Sequence, residues 1–173
     1  MNLPASETCK VETSRSAKTL TLRFSGQITE SFDFDPILNN AADLAGVDQV
    51  VFDVGEVDRI SSHGARGWLI FLKRVRALVP IRFSVVSEAF IEQTATLPGI
   101  LGARGTPVEA LAVPYVCPKC KSRVVKVIRA ATLAVRSGCF SPPEETCPTC
   151  HGPLEFDAIE SEYVSFLAYT ARI

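Results

Sequence analysis

Two pairs of cysteines constrain this chain more than any other feature. Cys117-Pro-Lys-Cys120 and Cys147-Pro-Thr-Cys150 each leave two residues between their thiols, and 26 residues separate the pairs. A two-residue gap lets both thiolates of a hook turn toward one cation, and two hooks complete a tetrahedral four-sulfur shell for Zn²⁺. Disulfides within each hook would be strained and would need an oxidising compartment. Structural zinc sites fill all four positions with protein ligands, whereas catalytic sites keep one open for water. The spacing therefore predicts a structural Zn²⁺ held by Cys117, Cys120, Cys147 and Cys150. A redox role fits less well, because neither hook opens a helix behind a buried strand, the setting that lowers a thiol pKa. His151 reads as a flanking residue of its hook, and Cys9 and Cys139 as ordinary free thiols.

The segment around the hooks, residues 115–156, is too short to bury a core of its own. Metal binding can supply roughly 10–16 kcal/mol, comparable with the whole stability of a domain. The segment is expected to fold only with its ion, as a zinc ribbon. Its strands are read as a hairpin of Val124–Ile128 with a partner near Thr132–Val135, and a short strand around Leu154–Phe156.

The rest of the chain alternates short strands with helical stretches, which predicts an α/β layer fold. Leu20, Leu22 and Phe24 alternate with polar residues as in a half-buried strand, and Cys9–Thr13 offers an edge partner. Asp35-Pro36 opens a helix carrying Ile37, Leu38, Ala41, Leu44 and Ala45, closed at Gly46. Val50–Val54 reads as a strand covered on both faces. After a turn over Gly55–Ile60, a second helix spans about Ser62–Val79, with Ala65, Trp68, Leu69, Leu72, Val75 and Val79 as its apolar stripe. Strands follow at Ile81–Val86 and near Val108–Val116, separated by a short helix that Ser87 caps and that carries Phe90, Ile91 and Ala95. Asp157-Ala-Ile-Glu160 has the form of a capping box opening a terminal helix, with Ile159, Tyr163, Phe166, Leu167 and Thr170 on one face.

This order of elements resembles the STAS domain of bacterial anti-sigma factor antagonists. The resemblance covers about Cys9–Tyr115 and rests on Gly26 after the second strand, the strand Val50–Val54 and the turn Ile60-Ser61-Ser62-His63-Gly64. It implies a STAS-like mixed sheet flanked by helices, with an inserted zinc-ribbon subdomain and a C-terminal helix packing back on the domain. The implied division is a tail over 1–8, the STAS-like domain over 9–114, the ribbon over 115–156 and the helix over 157–173. Ser62 matches the family's phospho-acceptor and Gly64 its glycine, while Ser61 stands where the family has an acidic residue. The implied partner is an anti-sigma-type serine kinase or a larger sensory assembly, docking on Ser61, Ser62, His63 and Arg66.

Physical chemistry gives Ser62 two readings. A phosphate at a helix N-terminus would be stabilised by exposed N–H groups and would add about −1.5 to −2 charges beside Arg66. Alternatively, Ser61 or Ser62 simply caps the helix. Ser62 and His63 do not form a catalytic pair, since adjacent helical residues project about 100° apart, and no nucleophile elbow, P-loop or dinucleotide fingerprint accompanies them. No enzyme activity and no small-molecule substrate are expected.

Charge adds a second candidate function. The chain is nearly neutral at −1, yet residues 117–140 hold six basic side chains (Lys119, Lys121, Arg123, Lys126, Arg129, Arg136) and no acidic ones. Such a ribbon could follow a phosphate backbone as a nucleic-acid-binding adaptor. The competing explanation is internal: a four-thiolate zinc carries a net charge of minus two, and the acidic stretch Glu144–Glu162 can lie against the basic one. The longest apolar run, Trp68–Leu72, is far short of the ~20 residues a bilayer requires. With no signal-like stretch in Met1–Lys10, the expectation is a cytoplasmic protein without a membrane partner.

Overall fold

The computed structural model describes residues 8–39, 46–97, 99–136 and 139–170. Its centre is a seven-stranded mixed sheet. The strands β1 (Lys10–Ser16), β2 (Thr19–Ile28), β3 (Gln49–Ile60), β4 (Ile81–Val86), β5 (Val108–Val116) and β6 (Arg123–Arg129) lie side by side in chain order. The run β2-β3-β4-β5 is parallel, and β1 and β6 close the two edges antiparallel. A short strand, β9 (Glu155–Phe156), pairs with β5 at Tyr115 and Val116. The pairing of β4 with β5 reaches only as far as Leu111, so β9 takes up the flank of β5 beyond it. The α/β class read from the alternating pattern is the architecture observed.

Aromatic residues build the main core. The helix α1 (Asp35–Asn39) is short, and the α2 helix (Ser62–Leu78) lays Gly64, Ala65, Trp68, Phe71, Leu72 and Val75 inward. Trp68 is fully buried, its ring centroid 5.2 Å from Phe24, 5.5 Å from Phe52 and 5.1 Å from Phe90. Edge-to-face contacts of this kind add about 0.5–1.5 kcal/mol each beyond the area they bury. Its indole N–H donates to the carbonyl of Ile100 at 2.7 Å, so the one polar atom of the ring is satisfied inside the core. Phe71, outside the predicted stripe, is buried one turn after Trp68 and stacks on Phe34 at 5.0 Å, while Leu69 and Val79 are only half-buried.

Several expectations give way to longer-range pairing. Gly55–Ile60, read as a turn, continues β3 to Ile60, because β2 also runs on, through register shifts after Arg23 and Gly26, and keeps it paired. Gly26 thus lies inside β2 rather than after it, at a φ of +83° that suits a glycine at a bulge. The predicted first helix beyond Asn39 falls outside the described residues. Val124–Ile128 pairs with β5 over Leu111–Tyr115 instead of folding on Thr132–Val135. Thr132 sits in a 3₁₀ turn (Ala130–Thr132), and β7 (Ala134–Arg136) instead forms a small hairpin with β8 (Cys139–Ser141). The strand following the first hook is therefore part of the central sheet.

The terminal helix, α4 (Glu160–Thr170), begins at Glu160 without the predicted capping box. Asp157 is engaged elsewhere, its carboxylate accepting from Arg123 Nε at 3.0 Å. Ile159 is exposed, contrary to the predicted stripe, whereas Tyr163 and Phe166 are fully buried. Phe140, Phe156 and Tyr163 form a triangle of rings with centroids 5.0–5.2 Å apart, joining β8, β9 and α4. The Tyr163 hydroxyl donates to the Ala112 carbonyl on β5 at 2.8 Å. The helix α4 also packs against α3 (Glu88–Thr94).

Candidate metal centre

The two hooks are built alike. In the first, the N–H of Lys121 donates to the Cys117 carbonyl at 2.8 Å and the N–H of Cys117 to the Ser122 carbonyl at 2.9 Å. In the second, His151 donates to Cys147 at 2.9 Å and Cys147 to Gly152 at 2.8 Å. Lys121 and His151 both take positive φ, 60° and 57°, which turns the chain back immediately after the second cysteine. Neither residue is glycine, so each accepts a conformation most side chains avoid, one set by the closed hook. This shared turn is not visible as a sequence repeat, because outside Cys-Pro-x-Cys the side chains differ.

All four sulfurs lie within 4.8 Å of one another, the only such convergence of metal-ligating groups among the described residues. Cys117 Sγ stands 3.4 Å from Cys150 Sγ, and Cys120 Sγ 3.6 Å from Cys147 Sγ. Those separations far exceed a disulfide bond of about 2.05 Å. They are close to the edge of about 3.8 Å that a tetrahedron with Zn–S bonds of about 2.3 Å requires. The donor set is all sulfur, which suits a thiophilic metal ion such as zinc. Cys117 and Cys147 are fully buried and Cys150 half-buried, while Cys120 faces solvent.

Polar neighbours already favour thiolate. The Ser122 hydroxyl lies 2.9 Å from Cys120 Sγ and 3.6 Å from Cys147 Sγ. Hydrogen bonds from Ser122, side chain first and then backbone, hold the Cys120 thiol below its ordinary pKa. The Cys147 thiol is held down chiefly by the backbone N–H of Cys150. At Cys150 the N–H of Gly152 pulls in the same direction, but the neighbouring Cys117 sulfur, burial and the other sulfurs outweigh it, so its pKa is raised. Four sulfurs this close cannot all ionise unaided, and a divalent cation supplies the missing countercharge. With Zn²⁺ bound, the centre would be a closed structural clamp joining the end of β5 to the segment before β9.

The remaining site candidates divide clearly. Ser61 is the N-cap of α2, its Oγ accepting from the N–H of Gly64 at 3.0 Å and donating to Glu30 at 3.3 Å. Ser62, His63 and Arg66 are exposed on the first turns of α2. Gly64 is pressed against the end of β2, where an added Cβ would stand 2.3 Å from the Ile28 carbonyl oxygen. The cap is thus Ser61, and Ser62 is left with its side chain in solvent. Cys9 is buried, and burial pushes its thiol up to about 11 against a hydrogen bond with the Ser25 backbone, which fits an inert thiol. The Cys139 side chain lies outside the described part of the structure.

The basic stretch is partly neutralised from within. Arg123 pairs with Glu88 at 2.6 Å and Asp157 at 3.0 Å, and Lys126 with Glu145 at 3.4 Å. Lys119, Lys121 and Arg129 are exposed. No helix among the described residues is long and apolar enough to cross a membrane. No protein-family model and no curated protein matches the chain.

Proposed function

We propose that the chain is a non-enzymatic docking module of bacterial signalling, in which a STAS-like domain presents the start of α2 to a protein partner. The observation that carries this reading is the division of labour at that turn. Ser61 and Gly64 fix the helix end against β2, while Ser62, His63 and Arg66 stand free in solvent. A rigid base with exposed polar groups suits recognition, and it leaves Ser62 accessible to a serine kinase. Phosphate on Ser62 would sit at the N-terminal, partly positive end of a helix and beside Arg66, changing the local charge enough to switch docking. The zinc clamp serves structure: it ties the segment before β9 to the end of β5 at the margin of the main sheet. Internal pairing of Arg123 and Lys126 favours the intramolecular explanation of the basic stretch over a nucleic-acid role.

The test is quantitative affinity purification from native cells with wild type, Ser62→Glu and Arg66→Glu. The expected result is one protein partner depleted by both substitutions. Identical partner sets for all three chains would contradict the proposal.

A further inference from the structure

The strand β6 ends the central sheet: it pairs with β5 along one side, and no strand among the described residues pairs with the other. The phase of that pairing decides which backbone groups are left over. The N–H of Cys117 donates to the Ser122 carbonyl at 2.9 Å, in register with the ladder. Pro114, opposite Val125, has no N–H to give, and its carbonyl accepts from Asp157 on its other side at 3.0 Å. Hydrogen-bonded and non-bonded pairs alternate along antiparallel strands. Val124, Lys126 and Ile128 therefore use their N–H and C=O groups on β5, while Val125 and Val127 point theirs away from the sheet.

Edges of this kind are normally blunted by a bulge, a proline, a covering segment or bare charge. The strand β6 contains no proline, and its register with β5 is unbroken. On one face it presents Arg123, Val125, Val127 and Arg129, with Val125 48% and Val127 63% exposed. Single exposed valines are ordinary, but two in succession beside a free edge make an apolar strip. The charges near it are mostly engaged: Arg123 is tied back to Glu88 and Asp157, and Lys126 to Glu145. Arg129 is exposed and makes no ion pair among the described residues. The opposite edge, β1, differs in kind, with Glu12, Thr13, Ser14, Arg15 and Ser16 exposed along it.

A second copy of the chain fits this edge poorly. The two-fold register that pairs the whole strand sets Arg123 opposite Arg129 and Lys126 opposite its own copy, and like charges directly opposite destabilise. Charge complementarity selects an acidic occupant instead. We infer that β6 is a docking edge for an extended segment of a partner protein, added antiparallel as a further strand, with an acidic residue opposite Arg129 and apolar residues opposite Val127 and Val125. Along the partner chain that order is acidic-x-apolar-x-apolar. Main-chain hydrogen bonds to Val125 and Val127 give affinity, and the alternate side chains give selectivity. The edge shares no residue with the turn at Ser62, so it stands apart from the function proposed above.

The probe is a blocked, fluorescently labelled peptide, Ser-Glu-Thr-Val-Thr-Val-Thr-Gly, followed by anisotropy with the zinc-loaded full chain. Saturable binding is expected, weakened about tenfold or more, near 1.4 kcal/mol, when both peptide valines are N-methylated, which removes the donors of the new ladder but no charge. Arg129→Glu is expected to lose this peptide and to bind one with Lys in place of its Glu. The Arg129 side chain is exposed, so its substitution is expected to leave the melting temperature unchanged, which separates lost binding from lost folding. No saturable binding, binding indifferent to N-methylation, or a failed charge exchange would overturn the inference. So would concentration-dependent dimerisation of the free chain that Val127→Lys abolishes, since it would give the edge to a second copy.

Discussion

The Arg123 guanidinium spans Glu88 at the start of α3 and Asp157 just before α4, with 2.6 Å to the first and 3.0 Å to the second. It stands one residue beyond Ser122, whose hydroxyl touches the cysteine sulfurs, so it joins the metal lobe to the helical layer. The groups are partly exposed, with 49% of the Arg123 side chain in solvent, and screening limits each pair to about 0–1 kcal/mol. A double-mutant cycle of Arg123→Ala with Glu88→Gln, read by urea unfolding, is expected to give a coupling of about 0.5–1 kcal/mol that shrinks in high salt.

Gly64 and Gly67 lie one turn apart on α2 and are expected to respond oppositely to alanine. In an unconstrained helix the change stabilises by up to about 1 kcal/mol. At Gly64 the new methyl would meet the Ile28 backbone at 2.3 Å, and backbone cannot step aside, so Gly64→Ala is expected to destabilise by about 2 kcal/mol or more. At Gly67 the nearest atom is a Phe34 ring carbon at 3.2 Å, which can shift slightly, so Gly67→Ala is expected to fall within about 1 kcal/mol of wild type. Thermal or urea unfolding of the two variants checks this directly.

The serines of the same turn separate in the same way. Ser61→Ala removes the cap and is expected to cost about 1 kcal/mol. Ser62→Ala touches only solvent and is expected to stay within about 0.5 kcal/mol of wild type. Equal costs for the two would contradict the assignment of the cap to Ser61.

Tyr163 gives the fold an alkaline limit. Burial, then the charges of Glu88 and Glu92, raise its pKa well above the ordinary value near 10. Below pH ~10 both folded and unfolded chains keep the phenol proton, and its contribution to stability is complete. Above that the unfolded chain releases the proton while the folded chain retains it, so stability falls by up to about 1.4 kcal/mol per pH unit for this group. Tyr163→Phe is expected to be about 1 kcal/mol less stable at pH 7, having orphaned the Ala112 carbonyl, yet to lose less on going from pH 9 to pH 11. Urea midpoints at those pH values test it.

Local signals in the sequence were sufficient wherever the chain consults only its neighbours. The alternation of Leu20, Leu22 and Phe24, the Pro80 stop after α2 and the two-residue spacing of the hooks each lead to the observed element or cluster. What escaped depends on distant partners. Asp157 has the form of a cap, but Arg123, 34 residues away, takes its carboxylate. Val124–Ile128 has the form of a hairpin arm, but all five of its residues pair with β5. Phe71 joins the core because Phe34 arrives from the α1 side to stack on it. The matching turns of the two hooks were hidden because backbone hydrogen bonds, not side-chain identity, define them.

The account stands most directly on the metal. Freshly purified chain, analysed by elemental mass spectrometry alongside native intact mass, is predicted to carry one zinc per chain with Cys117, Cys120, Cys147 and Cys150 all reduced. Metal-free protein, or those sulfurs found in disulfides, would contradict it.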